Sequence, residues 1–101
     1  MNNGNIADIF KALAHPARLK IVYGLVNGED CHVTKIVQNL KLPQPQISQH
    51  ITVLKRLGII EGLRTGNEIC YNVTNEQARK IVLKIKELYY EWIYRIGYRL
   101  L

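Results

Sequence analysis

Around Gly58 the apolar repeat of this chain changes from about 3.6 residues to 2. Before it, Ile47, Ile51, Leu54 and Leu57 recur at helical spacing, which predicts a helix running from Gln44 to Leu57 and stopping at Gly58. After it, Ile60 to Leu63 and Glu68 to Val73 read as two short strands. Between them, Arg64-Thr65-Gly66-Asn67 supplies the glycine and asparagine that a tight hairpin wants. Thr74 or Asn75 then caps a last helix through Ile81, Val82, Ile85, Leu88, Tyr89, Trp92, Ile93 and Ile96.

Upstream the pattern is helical as well. Ile6, Ile9, Phe10 and Leu13 predict a first helix over about residues 5–14, broken at His15-Pro16 because the residue before proline leaves the α region. Pro16 opens a second helix that ends near Asn27-Gly28. Glu29 to Val33 reads as a brief strand. Val33, Ile36, Val37 and Leu40 form the stripe of a two-turn third helix. Lys41-Leu42-Pro43 is a turn, after which Gln44 caps the fourth helix with Pro45 at its first position. The expected fold is mainly α with a small β-hairpin wing: one winged helix-turn-helix domain over residues 1–101. Its helix-turn-helix covers about 33–57, its wing about 60–73, and its dimerisation helices about 5–14 and 75–99.

Fourteen Lys/Arg against eight Asp/Glu give a formal charge of +6 over 101 residues, which favours a polyanionic partner. With 48% hydrophobic residues the chain can form a core. No apolar run approaches the roughly 20 residues that span a bilayer, and Met1 to Asn5 does not read as a signal peptide. The expectation is a soluble cytoplasmic protein without a membrane partner. The chain has no GxSxG, P-loop, HExxH or paired-carboxylate cluster, so an enzyme is not expected and no cofactor is implied.

A short helix, a turn and a longer helix with a polar outer face make a helix-turn-helix, and a basic-tipped hairpin after it makes a wing. At about 100° per residue, Ile47, Ile51, Leu54 and Leu57 share one side of the fourth helix. The opposite side holds Pro45, Ser48, Gln49, Thr52 and Arg56, with Gln44 and Gln46 at the N-terminal tip. Glutamine, serine and threonine can bond base edges in the major groove. Lys55 and Arg56, further along, suit phosphates. His50 lies beside the apolar face and reads as packed or phosphate-contacting, and His15 as structural.

The stretches FKALAHPARLKIVYGL at 10–25, LPQPQISQHITVLKRLGII at 42–60 and RTGNEICYNV at 64–73 resemble the ArsR family of bacterial winged-helix repressors. The resemblance implies a homodimer on double-stranded, palindromic operator DNA, released by an effector or by thiol modification. The effector itself is unknown. It places Gln44, Pro45, Ser48 and Gln49 at base-reading positions, and Arg64 and Asn67 on the wing near the minor groove or phosphates. Family metal sites use Cys-x-Cys in a segment like ELCVCDL, or Asp and His pairs on the last helix. Here Glu29-Asp30-Cys31-His32-Val33 keeps only the first cysteine, and the last helix has neither Asp nor His. Cys31 and His32 alone are too few ligands for a tetrahedral ion, so no metal site is expected.

Two further readings concern surfaces and thiols. The terminal helices carry more apolar residues than a small core covers, which makes Ile6, Ile9, Phe10, Leu88, Tyr89, Trp92 and Ile96 candidates for a dimer interface. The alternative for any one of them is simple intrachain core. Cys31 and Cys70 read as thiols at rest. They would become neighbours if the segment before the helix-turn-helix pairs with the second hairpin strand, giving a thiol switch in which a disulfide or persulfide bridge shifts the wing, with Lys35 and His32 nearby. Otherwise both are small buried hydrophobes. The competing function is a winged-helix adaptor that binds protein without reading DNA.

Overall fold

The computed structural model describes residues 5–28, 30–38 and 40–91, with the side chains of residues 89–91 left aside. Its elements are α1 (Ile6–Leu13), α2 (Pro16–Val26), α3 (Val33–Ile36), α4 (Gln44–Arg56), β1 (Ile60–Thr65), β2 (Glu68–Val73) and α5 (Glu76–Glu91). Side chains start three of the helices by accepting from orphan first-turn amides. Asn5 Oδ1 accepts from Ala7 N at 2.8 Å, His15 Nδ1 from Ala17 N at 3.1 Å, and Asn75 Oδ1 from Ala78 N at 2.8 Å. His15 is thus the structural cap of α2.

α2 is the hub. Ala17, Lys20, Ile21, Val22, Tyr23 and Gly24 are all buried, and the helix packs against α1, α3, α4, α5 and β2. The core around it takes Leu13 from α1, Ile47, Ile51 and Leu54 from α4, Ile59 and Ile60 at the wing root, and Ala78 and Val82 from α5. This set matches the stripes expected from periodicity, with a few differences.

The third helix is one turn, not two: Val37 caps it at Ile36, although Val37 and Leu40 still bury their side chains. Lys41 at φ 56 marks the reversal that follows. α4 begins at Gln44, with Pro43 as its cap. The Pro43 carbonyl accepts from Gln46 and Ile47, so Gln44 lies inside the helix and does not cap it.

β1 and β2 pair antiparallel from Ile60↔Val73 to Thr65↔Glu68, so Arg64 and Thr65 belong to the strand and the turn is only Gly66-Asn67. Gly66 has φ +64, the left-handed value that glycine supplies at the first position of such a turn. Gly62 has another role: a Cβ there would sit 2.8 Å from the ring of Tyr71. Residues 30–32 form no strand, but Tyr71 N donates to the Cys31 carbonyl at 2.8 Å, one ladder-like bond where a third strand was expected.

Candidate nucleic-acid interface

α4 divides along its length. Ile47, His50, Ile51 and Leu54 face the core, while Gln44, Pro45, Gln46, Ser48, Gln49, Thr52, Lys55 and Arg56 are all exposed. The exposed flank borders two clefts. One, of about 430 Å³, lies between α4, the start of α3 and the wing, and brings Gln44, Ser48, Thr52 and Lys55 together with Asn67. The other, of about 400 Å³, lies toward α2 and gathers Pro45, Gln49 and Arg56 around Arg18, sharing Ser48 and Thr52 with the first. Gln46 and Arg64 line neither cleft. Gln46 stands on the first turn of α4 and Arg64 on β1, both open to solvent.

The chemistry of this flank is that of hydrogen bonding with peripheral positive charge. Gln44, Gln46 and Gln49 each offer a carbonyl and an amide to a base edge. The Thr52 hydroxyl donates to the Ser48 carbonyl at 2.9 Å, so toward an incoming group it offers its oxygen as acceptor. Lys55 and Arg56 stand in the last turn, next to the C-terminal end of the helix dipole.

Arg18 is the residue that sequence reasoning left out. Its Nε donates to His50 Nδ1 at 3.3 Å, and the His50 ring lies 4.3 Å from that of His15. Burial, then the cost of charging beside His15 and beside the Arg18 guanidinium, hold His50 below its ordinary pKa near 6.5. His15 is lowered too, by burial and then by Arg18. Both imidazoles therefore favour the neutral form, and neutral Nδ1 is what accepts from Arg18. The apolar positions of α2 carry no hint of Arg18, whose place at the mouth of a cleft depends on how α4 packs against α2.

Cys31 and Cys70 are joined as a disulfide, with 4.7 Å between their Cα atoms. They are neither resting thiols nor separate buried hydrophobes. The bond from Tyr71 N to Cys31 O sets the segment before α3 beside β2 and brings the sulfurs together. Around them, His32 N and Nδ1 both approach Asp30 Oδ1, at 2.7 and 2.8 Å. The hydrogen bond from the His32 backbone, followed by that from its side chain, holds the Asp30 carboxyl below the usual range. Lys35 turns its Nζ to Asp30 Oδ2 at 3.8 Å.

The candidate dimer residues separate. Phe10 is 55% exposed, Leu88 62% and Ile6 43%, and they are joined by Leu83 at 44%. Ile9 is 0% exposed and packs in the core of its own chain, which corrects its assignment to an interface. Helical spacing puts Ile9 and Phe10 on one broad stripe and cannot divide it. Tyr89 lies in α5 with its side chain outside the described set, and Trp92 and Ile96 lie outside the described residues. Among the described residues no helix is long and apolar enough to cross a membrane.

With this geometry in place, residues 15–62 match the model of the family described as "Bacterial regulatory protein, arsR family". The chain is 40% identical over 83 residues to an HTH-type transcriptional regulator of Methanocaldococcus jannaschii, a match covering 81% of this chain and 92% of the relative. The fold is similar to the crystal structure of the transcriptional repressor BigR of Xylella fastidiosa. That likeness has TM-score 0.73 and 33% identity, and covers 83% of this chain and 85% of the other. It is also similar to a homodimeric winged helix-turn-helix DNA-binding domain of Mycobacterium bovis, titled a possible ArsR-family regulator. There the TM-score is 0.69 at 26% identity, over 85% of this chain and 79% of that one.

Proposed function

Since the chain belongs to the ArsR family of bacterial regulatory proteins, and is a DNA-binding transcriptional regulator with a winged helix-turn-helix fold, we propose that it represses transcription by holding operator DNA as a homodimer. The observation that carries this reading is the division of α4, whose core flank fixes the helix while Ser48, Gln49 and Thr52 are exposed along the clefts on its other flank. In helix-turn-helix docking the N-terminal part of such a helix reads base edges in the major groove. Gln44, Pro45, Gln46, Ser48, Gln49 and Thr52 take that role, and Lys55, Arg56, Arg64 and Asn67 hold phosphate or the minor groove. Exposed Ile6, Phe10 and Leu88 on α1 and α5, which pack against each other, support a partner copy there. Two copies set two α4 helices about 34–36 Å apart, one DNA turn. The partner being DNA, the site of action is the cytoplasm, and no catalysis is involved.

The Cys31–Cys70 bridge fastens the entry of α3 to β2, and we read it as the oxidised arm of a thiol switch that changes how the wing meets DNA. Titration of labelled genomic fragments by fluorescence anisotropy over a salt series tests the main reading. A repressor gives selective binding that weakens steeply with salt, with several phosphate contacts per dimer. Salt-insensitive or unselective binding would favour a protein-binding adaptor. Repeating the titration after diamide and after dithiothreitol tests the switch, and equal affinities would refute it.

A further inference from the structure

The disulfide stands among metal donors. Asp30, Cys31 and His32 each offer one ligand atom, and these atoms all lie within 4.8 Å of one another. Cys31 Sγ is 3.8 Å from both ring nitrogens of His32. His32 Nε2 is 3.8 Å from Glu68 Oε1. Glu68 and Cys70 are two residues apart on β2 and so share one face of the strand, the face turned to Cys31 and His32. The wing thus adds a sulfur and a carboxylate to the sulfur and imidazole that precede α3.

We propose that the reduced Cys31 and Cys70 sulfurs, His32 Nε2 and Glu68 Oε1 form a site for a thiophilic divalent cation of the zinc class, with Asp30 orienting His32. The donor set of two thiolates, one imidazole and one carboxylate is the mixture that zinc accepts in a tetrahedron, and it is too soft for calcium or magnesium. The spacing fits. Standard zinc bond lengths put sulfur and nitrogen about 3.6 Å apart and two sulfurs about 3.8 Å apart in such a tetrahedron. With the Cα atoms 4.7 Å apart, side-chain rotation alone can part the two sulfurs by that amount. Asp30 completes the arrangement seen around ligating histidines, where a carboxylate accepts from one ring nitrogen and leaves the other for the metal. Here Nδ1 lies 2.8 Å from Asp30 Oδ1, which frees Nε2.

Disulfide and cation exclude each other, since both use the same sulfurs. Reduction by a dithiol cleaves the S–S bond: two electrons and two protons pass to Cys31 and Cys70, and the reductant leaves as its own disulfide. The cation then replaces the two thiol protons, which go to solvent. A two-electron oxidant reverses the sequence and expels the ion.

The test is anaerobic titration of the full chain with Co²⁺, followed by displacement with Zn²⁺ and with circular dichroism as a check on folding. Reduced protein is expected to bind one Co²⁺ per chain, with a thiolate-to-cobalt charge-transfer band and the strong visible bands of a tetrahedral site, both bleached by equimolar Zn²⁺. Diamide-oxidised protein and Cys70→Ser should lose the site. Glu68→Gln, on an exposed residue, should fold normally and bind more weakly. Asp30→Asn should weaken binding roughly 10- to 100-fold. Absence of the charge-transfer band in reduced protein, its survival in Cys70→Ser, or unchanged affinity in both Glu68→Gln and Asp30→Asn would overturn the proposal.

Discussion

α2 and α4 are helices of similar length put to opposite uses. α2 is enclosed by five other elements and buries side chains around most of its circumference. α4 buries one flank and leaves the other polar and open. The residue types follow the division: α2 reads Ile-Val-Tyr-Gly at its buried centre, whereas α4 alternates Ile47, Ile51 and Leu54 with Ser48, Gln49 and Thr52. A helix enclosed around most of its circumference mainly supports, since a change on its buried sides disturbs packing, and what α2 lends to the open surface is Arg18 at the edge of a cleft. A helix held by one flank can change its other flank without moving, and a reading surface needs that freedom.

The comparison breaks most readily at α2. Ile21→Ala should cost about 2–5 kcal/mol of stability, read by urea unfolding, with DNA affinity per folded dimer unchanged. A loss of DNA selectivity at full folding would show that α2 does more than support. On α4, Ser48→Ala or Gln49→Ala should leave stability within about 0.5 kcal/mol. Each should cost roughly 1–3 kcal/mol of binding to the preferred site and relax base preference there. On the wing, Arg64→Ala should weaken all sequences alike and lower the salt slope by about one. If Arg64→Ala changed base preference, the division of labour between helix and wing would fail.

The smallest effect joins the two helices through Arg18, His15 and His50. Both histidines are held below their ordinary value, so as pH falls through about 6.5 the unfolded chain takes up protons before the folded one. Stability is therefore full above about 6.5 and declines toward the lowered folded values. Thermal melts between pH 7.5 and 5 should show this decline, and it should be shallower in His50→Gln. An equal slope in that variant would remove His50 from the account.

Much of this was legible in the residues. The repeat of Ile47, Ile51, Leu54 and Leu57 gives the orientation of α4 directly, because a helix has one geometry. The hairpin was legible from Gly66-Asn67, though its strands run two residues further into the turn on one side. What stayed hidden depends on tertiary packing. Ile9 and Phe10 look alike in sequence, but only the fold puts Ile9 inside and Phe10 outside. The length of α3 was missed because Val37 and Leu40 keep its apolar stripe while the backbone has already turned. The approach of Cys31 to Cys70 was legible from the expected pairing of the segment before α3 with β2, but the places of Asp30 and Glu68 on either side of His32 depend on side-chain packing, to which no periodicity points.

Selection from a random duplex library with the wild-type chain and with a Ser48→Ala/Gln49→Ala variant asks most directly whether the open flank of α4 reads DNA. The wild type should enrich a palindrome whose half-sites are centred about 10 base pairs apart, and the double variant should lose preference at defined positions within each half. No enriched motif from the wild type, or the same motif at the same strength from both proteins, would contradict that assignment.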